Sequence, residues 1–144
     1  MDKKKEIQFS IHEFEIGNFS NTVPKESIRK DRLDYKIQHQ FDVDVEKKLF
    51  RVGFKIKVTA SPQSKVELAN IETFTVYRIK GVDDEGMNHL PDHLVITFLS
   101  IAYSNTRGAL AAKAQGTVVG EVPLPLINPT RVIEDMKKRA NEDK

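Results

Sequence analysis

The sequence has no cysteine, which removes disulfides, thiolate metal ligands and thiol nucleophiles together and is compatible with the cytoplasm. It also lacks a dominant charge: 23 basic residues face 21 acidic ones, for a net charge of +2. A generic polyanion binder would carry a clear basic excess. Long apolar runs are missing too. The most apolar stretch, His93 to Ala114, is broken by Thr97, Ser100, Ser104, Asn105, Thr106, Arg107 and Lys113, whereas a bilayer span needs about 20 predominantly apolar residues. The start, Met1-Asp2-Lys3-Lys4-Lys5-Glu6, gives way to alternation at Ile7 rather than to the unbroken apolar run of a signal peptide. Neither a glycine-rich phosphate loop nor a nucleophile elbow is present. These absences set the expectation of a soluble, cytoplasmic, non-enzymatic protein with no cofactor, no membrane span and no nucleic-acid partner.

What is present fits one globular unit. A chain of 144 residues, 39% hydrophobic and 31% charged, can bury a core of its own. It reads as a single domain over 1–144, with flexible tails at 1–6 and 137–144. Two alternating runs are the clearest signal. Tyr35, Ile37, His39, Phe41, Val43 and Val45 share one face of the first, and Phe50, Val52, Phe54, Ile56, Val58 and Ala60 share one face of the second. Period-two patterning of this length predicts half-buried strands. Pairing Val45 with Phe50 makes Glu46–Leu49 the loop and sets Asp44 opposite Arg51.

Upstream, Ile7, Phe9 and Ile11 alternate and the phase then shifts to Phe14 and Ile16, which predicts one strand with a bulge near Glu13. From Gly17 to Asp34 the pattern dissolves into a long crossing segment that carries Phe19, Val23, Ile28 and Leu33. A fourth strand, Val66 to Ile79, is apolar on both faces and should therefore be covered on both. Gly81 to Leu90 reads as a polar link. Pro91-Asp92 opens a long helix that Gly116 stops. Pro123 and Pro125 make the next link extended, and Asn128-Pro129 starts a final helix holding Val132, Ile133 and Met136. The fold class is thus α+β: a four-stranded antiparallel sheet with a crossing loop between its first two strands, then a long helix and a short C-terminal helix.

Candidate chemistry is sparse. His89 and His93 have metal-ligand spacing, but Pro91 separates them and no third ligand is near in sequence. His39 falls on an apolar strand face, where a satisfied core or interface histidine accounts for it. Asp83-Asp84-Glu85-Gly86 lacks the ligand spacing of a calcium loop and reads as a solvated turn. Lys47, Lys48, Arg51, Lys55 and Lys57 cluster on one hairpin, yet Asp42, Asp44 and Glu46 lie beside them and no aromatic residue shares their face. The apolar residues outside regular elements are what remains, as cover for the chain's own core, a peptide groove or a subunit interface.

The order of elements resembles the SecB protein-export chaperone family. Phe50-Arg51-Val52-Gly53-Phe54-Lys55-Ile56-Lys57-Val58-Thr59-Ala60 is similar to the family's third strand, ending in Val58-Thr59-Ala60-Ser61. Tyr103 in the helix, Gly116-Thr117, and a leucine- and proline-containing link into an asparagine-started helix follow the same order. The resemblance spans Ile7 to Met136. It implies an ATP-independent holdase, assembled as a dimer of dimers, that binds unfolded polypeptide clients. By this reading Phe19, Val23, Ile28, Leu33, Val132, Ile133 and Met136 contact clients, while Leu68, Phe74, Val76, Phe98 and Ile101 serve assembly. Some residues depart from the family. Ile16 and Ser20 stand where two acidic residues of its motor-docking patch would be, Asn70 falls near a third, and Met136-Lys137-Lys138-Arg139 with a mixed-charge tail closes the chain. These departures count against the translocase motor SecA as a partner and leave room for a dedicated chaperone or adaptor of one partner, such as an antitoxin.

Overall fold

In the computed structural model of the chain, the described residues are 6–22, 33–60, 67–121, 124, 125 and 127–142. Four strands, β1 (Gln8–Asn21), β2 (Leu33–Asp44), β3 (Leu49–Ala60) and β4 (Glu67–Lys80), form one antiparallel sheet in the order β1-β4-β3-β2. Helices α1 (Asp84–Asn88), α2 (Asp92–Lys113), α3 (Val118–Glu121) and α4 (Pro129–Glu142) follow in sequence. This is the expected α+β arrangement. β1 and β2 occupy the two opposite edges of the sheet.

β1 explains its own irregular pattern. Its register against β4 slips twice, between Ile11 and Glu13 and between Ile16 and Asn18. Each slip inserts one unpaired residue, His12 and then Gly17, and so resets the side-chain phase. The apolar residues Phe9, Ile11, Phe14, Ile16 and Phe19 consequently stay on one face, opposite Ile79, Tyr77, Thr75, Thr73 and Ile71. The strand therefore runs through Phe19 to Asn21, and Phe19 belongs to β1 rather than to the crossing segment. Leu33 likewise opens β2. Val23 and Ile28 lie outside the described residues.

The β2–β3 hairpin keeps its predicted faces but pairs two residues away from the expected register. Val43 meets Phe50, Asp42 meets Arg51, and Val45–Lys48 form the turn. The reason is local: the Asp44 carboxylate accepts the Lys47 N–H at 3.0 Å, and Lys48 takes a positive φ of 56° that closes the turn. A shift of two preserves every inward side chain, so the core is unaffected. The outward Asp-to-Arg pairing moves from Asp44 to Asp42.

The helix α2 covers the apolar face of the sheet. Phe50, Val52, Phe54, Ile56 and Val58 of β3 and Ile71, Tyr77 and Ile79 of β4 are buried against Leu94, Phe98, Leu99, Ala102, Tyr103 and Leu110. Two of the three buried threonines in this layer are paired, whereas Thr75 Oγ1 has no hydrogen-bond partner among the described residues. Thr73 and Thr106 share a 2.7 Å hydroxyl hydrogen bond, and Thr106 Oγ1 also donates to the Ala102 carbonyl at 2.7 Å. Gly116, at φ +86°, ends the helical run beyond Ala114.

Three segments differ from expectation. The polar link contains α1, because Asp83 accepts the Gly86 N–H at 2.7 Å as an N-cap and Met87 is buried as its anchor. The link after Gly116 begins with α3. The prolines restrain only the residues beside them, and here Thr117 Oγ1 donates to the Ala114 carbonyl at 2.7 Å while Val119 is buried. The last helix continues past Met136 to Glu142. Its start is as predicted, with Asn128 Oδ1 accepting the N–H groups of Thr130 and Arg131 at 3.1 and 3.3 Å.

Candidate functional site

A groove runs between the outer edge of β2 and α4. It has two parts that meet at Phe41 and Met136. The smaller, about 350 Å³, is lined chiefly by Phe41, Val43 and Phe50 of the sheet, Met87 and Leu90, Val95 of α2, and Ile133 and Met136 of α4. The larger, about 740 Å³, is lined by Ile37, Gln38, His39, Gln40 and Phe41 of β2, by Gly53, Phe54 and Lys55 of β3, by Glu72 and Phe74 of β4, and by Met136 and Arg139. Both volumes fall in the range of ligand clefts. The smaller part is mostly aliphatic, aromatic and thioether, a lining suited to apolar side chains of varied shape.

Physical causes position each wall. β2 alternates, so Ile37, His39 and Phe41 face the helix layer while Gln38 and Gln40 face the opposite side. Among the described residues it is an edge strand with a neighbour on one flank only. The β2 rings join the core through a chain of aromatic contacts: His39 to Phe41 at 5.6 Å, Phe41 to Phe50 at 5.6 Å, and Phe50 to Phe98 at 5.3 Å. The α4 helix is amphipathic. Ile133 is buried and Val132 half-buried, whereas Met136 remains 36% exposed at the groove. An ion pair between Lys137 and Asp92 ties α4 to the first turn of α2, where a carboxylate is favourable. Upstream, the Tyr103 hydroxyl donates to the Pro125 carbonyl and holds the link into α4. His39 is held below the usual histidine range, first by burial and then by the Arg139 guanidinium.

The residues expected to contact clients divide. Val132, Ile133 and Met136 are together on α4, and the last two line the groove. Phe19 lies on β1 at the far edge of the sheet, three strand spacings or roughly 14 Å from β2, and Leu33 is half-buried at the start of β2. The residues expected at an assembly interface also divide. Leu68 and Phe98 are in this chain's own core, Ile101 is half-buried on α2, and Phe74 and Val76 are half-buried on the sheet face away from α2. Groove residues missed in the sequence include Phe41, Val43, Met87, Leu90, Val95 and Arg139. Phe41 and Val43 had a signal, the clean β2 alternation, but nothing in the sequence marks β2 as an edge.

The other candidates are now placed. His89 caps the end of α1 and His93 lies in the first turn of α2, both exposed. Among the described residues no three His, Asp or Glu side chains come together as metal ligands, and no helix is long and apolar enough to cross a membrane. The basic hairpin is locally balanced. Arg51 lies 3.9 Å from the Phe74 ring centroid and opposite Asp42, Lys48 pairs with Asp84, and Lys55 stands opposite Glu72.

A four-stranded antiparallel sheet ordered β1-β4-β3-β2, backed by one long helix and followed by a shorter one at the sheet edge, is a SecB-like fold. The solved structures include a similar one, the SecB-like chaperone Rv1957 of Mycobacterium tuberculosis in complex with a ChAD peptide from the HigA1 antitoxin Rv1956. It matches at a TM-score of 0.55 and 13% sequence identity, over 83% of this chain and 90% of that one. No family model and no curated protein sequence matches the chain.

Proposed function

We propose that the chain is an ATP-independent chaperone that holds extended apolar polypeptide segments in the groove between β2 and α4. The observation that carries this reading is the smaller, apolar part of the groove, between an edge strand and an amphipathic helix, with Val43 and Met136 exposed at 39% and 36% beside it. Exposed apolar surface in a concave setting marks a binding site. Two features support a polypeptide occupant, the SecB-like fold and the peptide bound by the similar mycobacterial chaperone. Binding of this kind is driven by apolar burial, about 25 cal/mol per Å². It needs no nucleotide and no cofactor.

Val23, Ile28, Leu33 and Val132 remain proposed client contacts alongside Ile133 and Met136, and Phe19, on the opposite edge of the sheet, is proposed only for a client segment that extends beyond the groove. Assembly as a dimer of dimers belongs to the same proposal, with Phe74, Val76 and Ile101 as its interface residues, since Leu68 and Phe98 are taken up in this chain's own core. The exposed Phe9, Ile11 and Phe14 on the β1 edge also favour association. The proposed location is the cytoplasm. A role in export through SecA is not supported by Ile16, Ser20 and Asn70, which lack the negative charge of a motor-docking patch.

A second reading keeps the fold but gives it one dedicated partner. The antitoxin peptide held by the mycobacterial neighbour and the near-neutral charge favour it. Suppression of aggregation of an unrelated denatured protein, without ATP, separates the two. Suppression at equimolar ratio is the expected result. None at several-fold excess sinks the general holdase, and a single stoichiometric partner in a pull-down then establishes the adaptor. Light scattering of the purified chain tests assembly, and a monomer would overturn the dimer of dimers.

A further inference from the structure

We propose that the larger cleft accepts an extended polypeptide as a fifth strand on the free edge of β2, and that Arg139 favours segments carrying an acidic side chain among apolar ones. The proposal deepens the chaperone reading and rests on it.

The backbone supplies the first argument. In an antiparallel ladder every second residue turns its N–H and C=O away from its partner strand. β2 is the last strand in the order, and among the described residues no backbone hydrogen bond reaches its outer side. Such an edge is a template for another chain. Its pairing with β3 is unbroken from Leu33 to Asp44, so the outer edge presents a regular row. The opposite edge, β1, is interrupted at His12 and Gly17 and offers no comparable row.

The cleft lining supplies the second argument. It includes Ile37 and Phe41 from one face of β2 and Gln38 and Gln40 from the other, with Met136 and Arg139 of α4 beside them. A depression on a single face would not meet both sets, so the cleft wraps the strand edge. An added strand would direct alternate side chains to the two faces, apolar ones onto Phe41 and Met136 and polar ones towards Gln38 and Gln40.

Charge supplies the third. The cleft holds two cations, Lys55 and Arg139, and one carboxylate, Glu72. Glu72 stands directly opposite Lys55 in the β3–β4 ladder, and the cleft lining holds no second carboxylate to face Arg139. None of the ion pairs among the described residues engages it. His39, kept neutral by burial and by Arg139 itself, adds no competing cation. An incoming carboxylate would therefore find a guanidinium that no ion pair among the described residues engages, in a cleft of mixed polar and apolar lining.

The test uses short synthetic peptides alternating leucine and serine with one central glutamate. A twin carries lysine for the glutamate. Two further forms are N-methylated on alternate amides in opposite phases. At low salt the glutamate peptide should bind about fivefold more tightly than the lysine twin, and Arg139→Gln should reduce that ratio below about twofold. One methylation phase should abolish binding and the other spare it, because only alternate amides face β2. The outer amides of β2 should gain hydrogen-exchange protection. Equal binding of both methylated forms, or no protection in β2, overturns strand addition. Equal binding of the glutamate and lysine peptides overturns the role of Arg139. Suppressed client aggregation without β2 protection defeats this inference alone, whereas loss of both defeats the chaperone reading as well.

Discussion

The Tyr77 hydroxyl donates to the main-chain carbonyl of Phe98 at 2.6 Å, and the two rings stack with centroids 4.2 Å apart and planes 18° off parallel. The pair joins β4 to α2 at the centre of the layer that supports the groove. Tyr77→Phe should keep the stacking and lose the hydrogen bond. The Phe98 carbonyl retains its place in the α2 ladder, so no acceptor is orphaned and the loss should be about 1 kcal/mol. Urea unfolding measures it. A loss near zero would mean that the hydroxyl is satisfied elsewhere.

The same burial sets an alkaline limit. Burial pushes Tyr77 well above its ordinary value of 10.0 and raises Tyr35 and Tyr103 in the same direction. Above pH 10 the unfolded tyrosines lose protons while the folded ones keep them. The unfolded state then binds fewer protons, and stability falls as pH rises. Unfolding midpoints measured from pH 9 upward should decline more steeply past about 10. Tyr77→Phe should flatten that decline, and an unchanged profile would refute the assignment.

Phe74 accounts for two glycines. A Cβ on Gly17 would come within 2.8 Å of its ring, and one on Gly53 within 3.3 Å. Gly17 has no positive φ, so the requirement is steric contact rather than backbone conformation. Gly17→Val should destabilise the sheet by about 1 to 3 kcal/mol, the range for overpacking. Phe74→Ala should then make the second substitution nearly free, and a double-mutant cycle reads the coupling directly. Simple additivity would show that the ring moves aside without cost.

The legibility of this chain in its sequence follows the locality of each cause. β2, β3, α2 and the Asn128 cap rest on periodicity and on contacts between near neighbours, and their patterns reveal them. The first bulge could be read because Ile11 and Phe14 are three apart. The same spacing from Ile16 to Phe19 marks the second, but there the glycine and asparagines around it imitate a loop. The hairpin register depended on the Asp44 side chain capping its own turn, a choice between two pairings with identical inward faces. The groove was half legible: Ile133 and Met136 stand out on an amphipathic helix, but Phe41, Val43 and Arg139 join them only because β2 is an edge and α4 lies beside it. No local pattern encodes strand order.

His39 and Arg139 form a pair that titration can follow. Burial and the guanidinium both disfavour the protonated imidazole in the folded state. An unfolded chain therefore takes up the proton at higher pH than the folded one. The neutral-imidazole contribution is complete above about 6.5, the unfolded value, and is lost as pH falls through the folded value. Arg139→Gln should move the His39 titration upward while leaving it below the ordinary range, since burial is the larger cause. Proton NMR of the imidazole resolves the shift, and no movement would place the guanidinium away from the ring.

Met136 and Ile133 separate binding from folding within one helix. Ile133 is 7% exposed, so Ile133→Ala should cost about 2 to 4 kcal/mol through the cavity it leaves, and any loss of client binding would be confounded with loss of fold. Met136 is 36% exposed at the junction of the two clefts. Met136→Asp should leave the unfolding free energy within about 0.5 kcal/mol. Because it replaces an adaptable apolar contact with a charge, it should weaken holding of a denatured client by about fivefold or more. Met136→Leu should restore most of it, because it returns apolar area of similar volume. If Met136→Asp holds clients as well as the unmodified chain at equal stability, the groove between β2 and α4 is not where they bind.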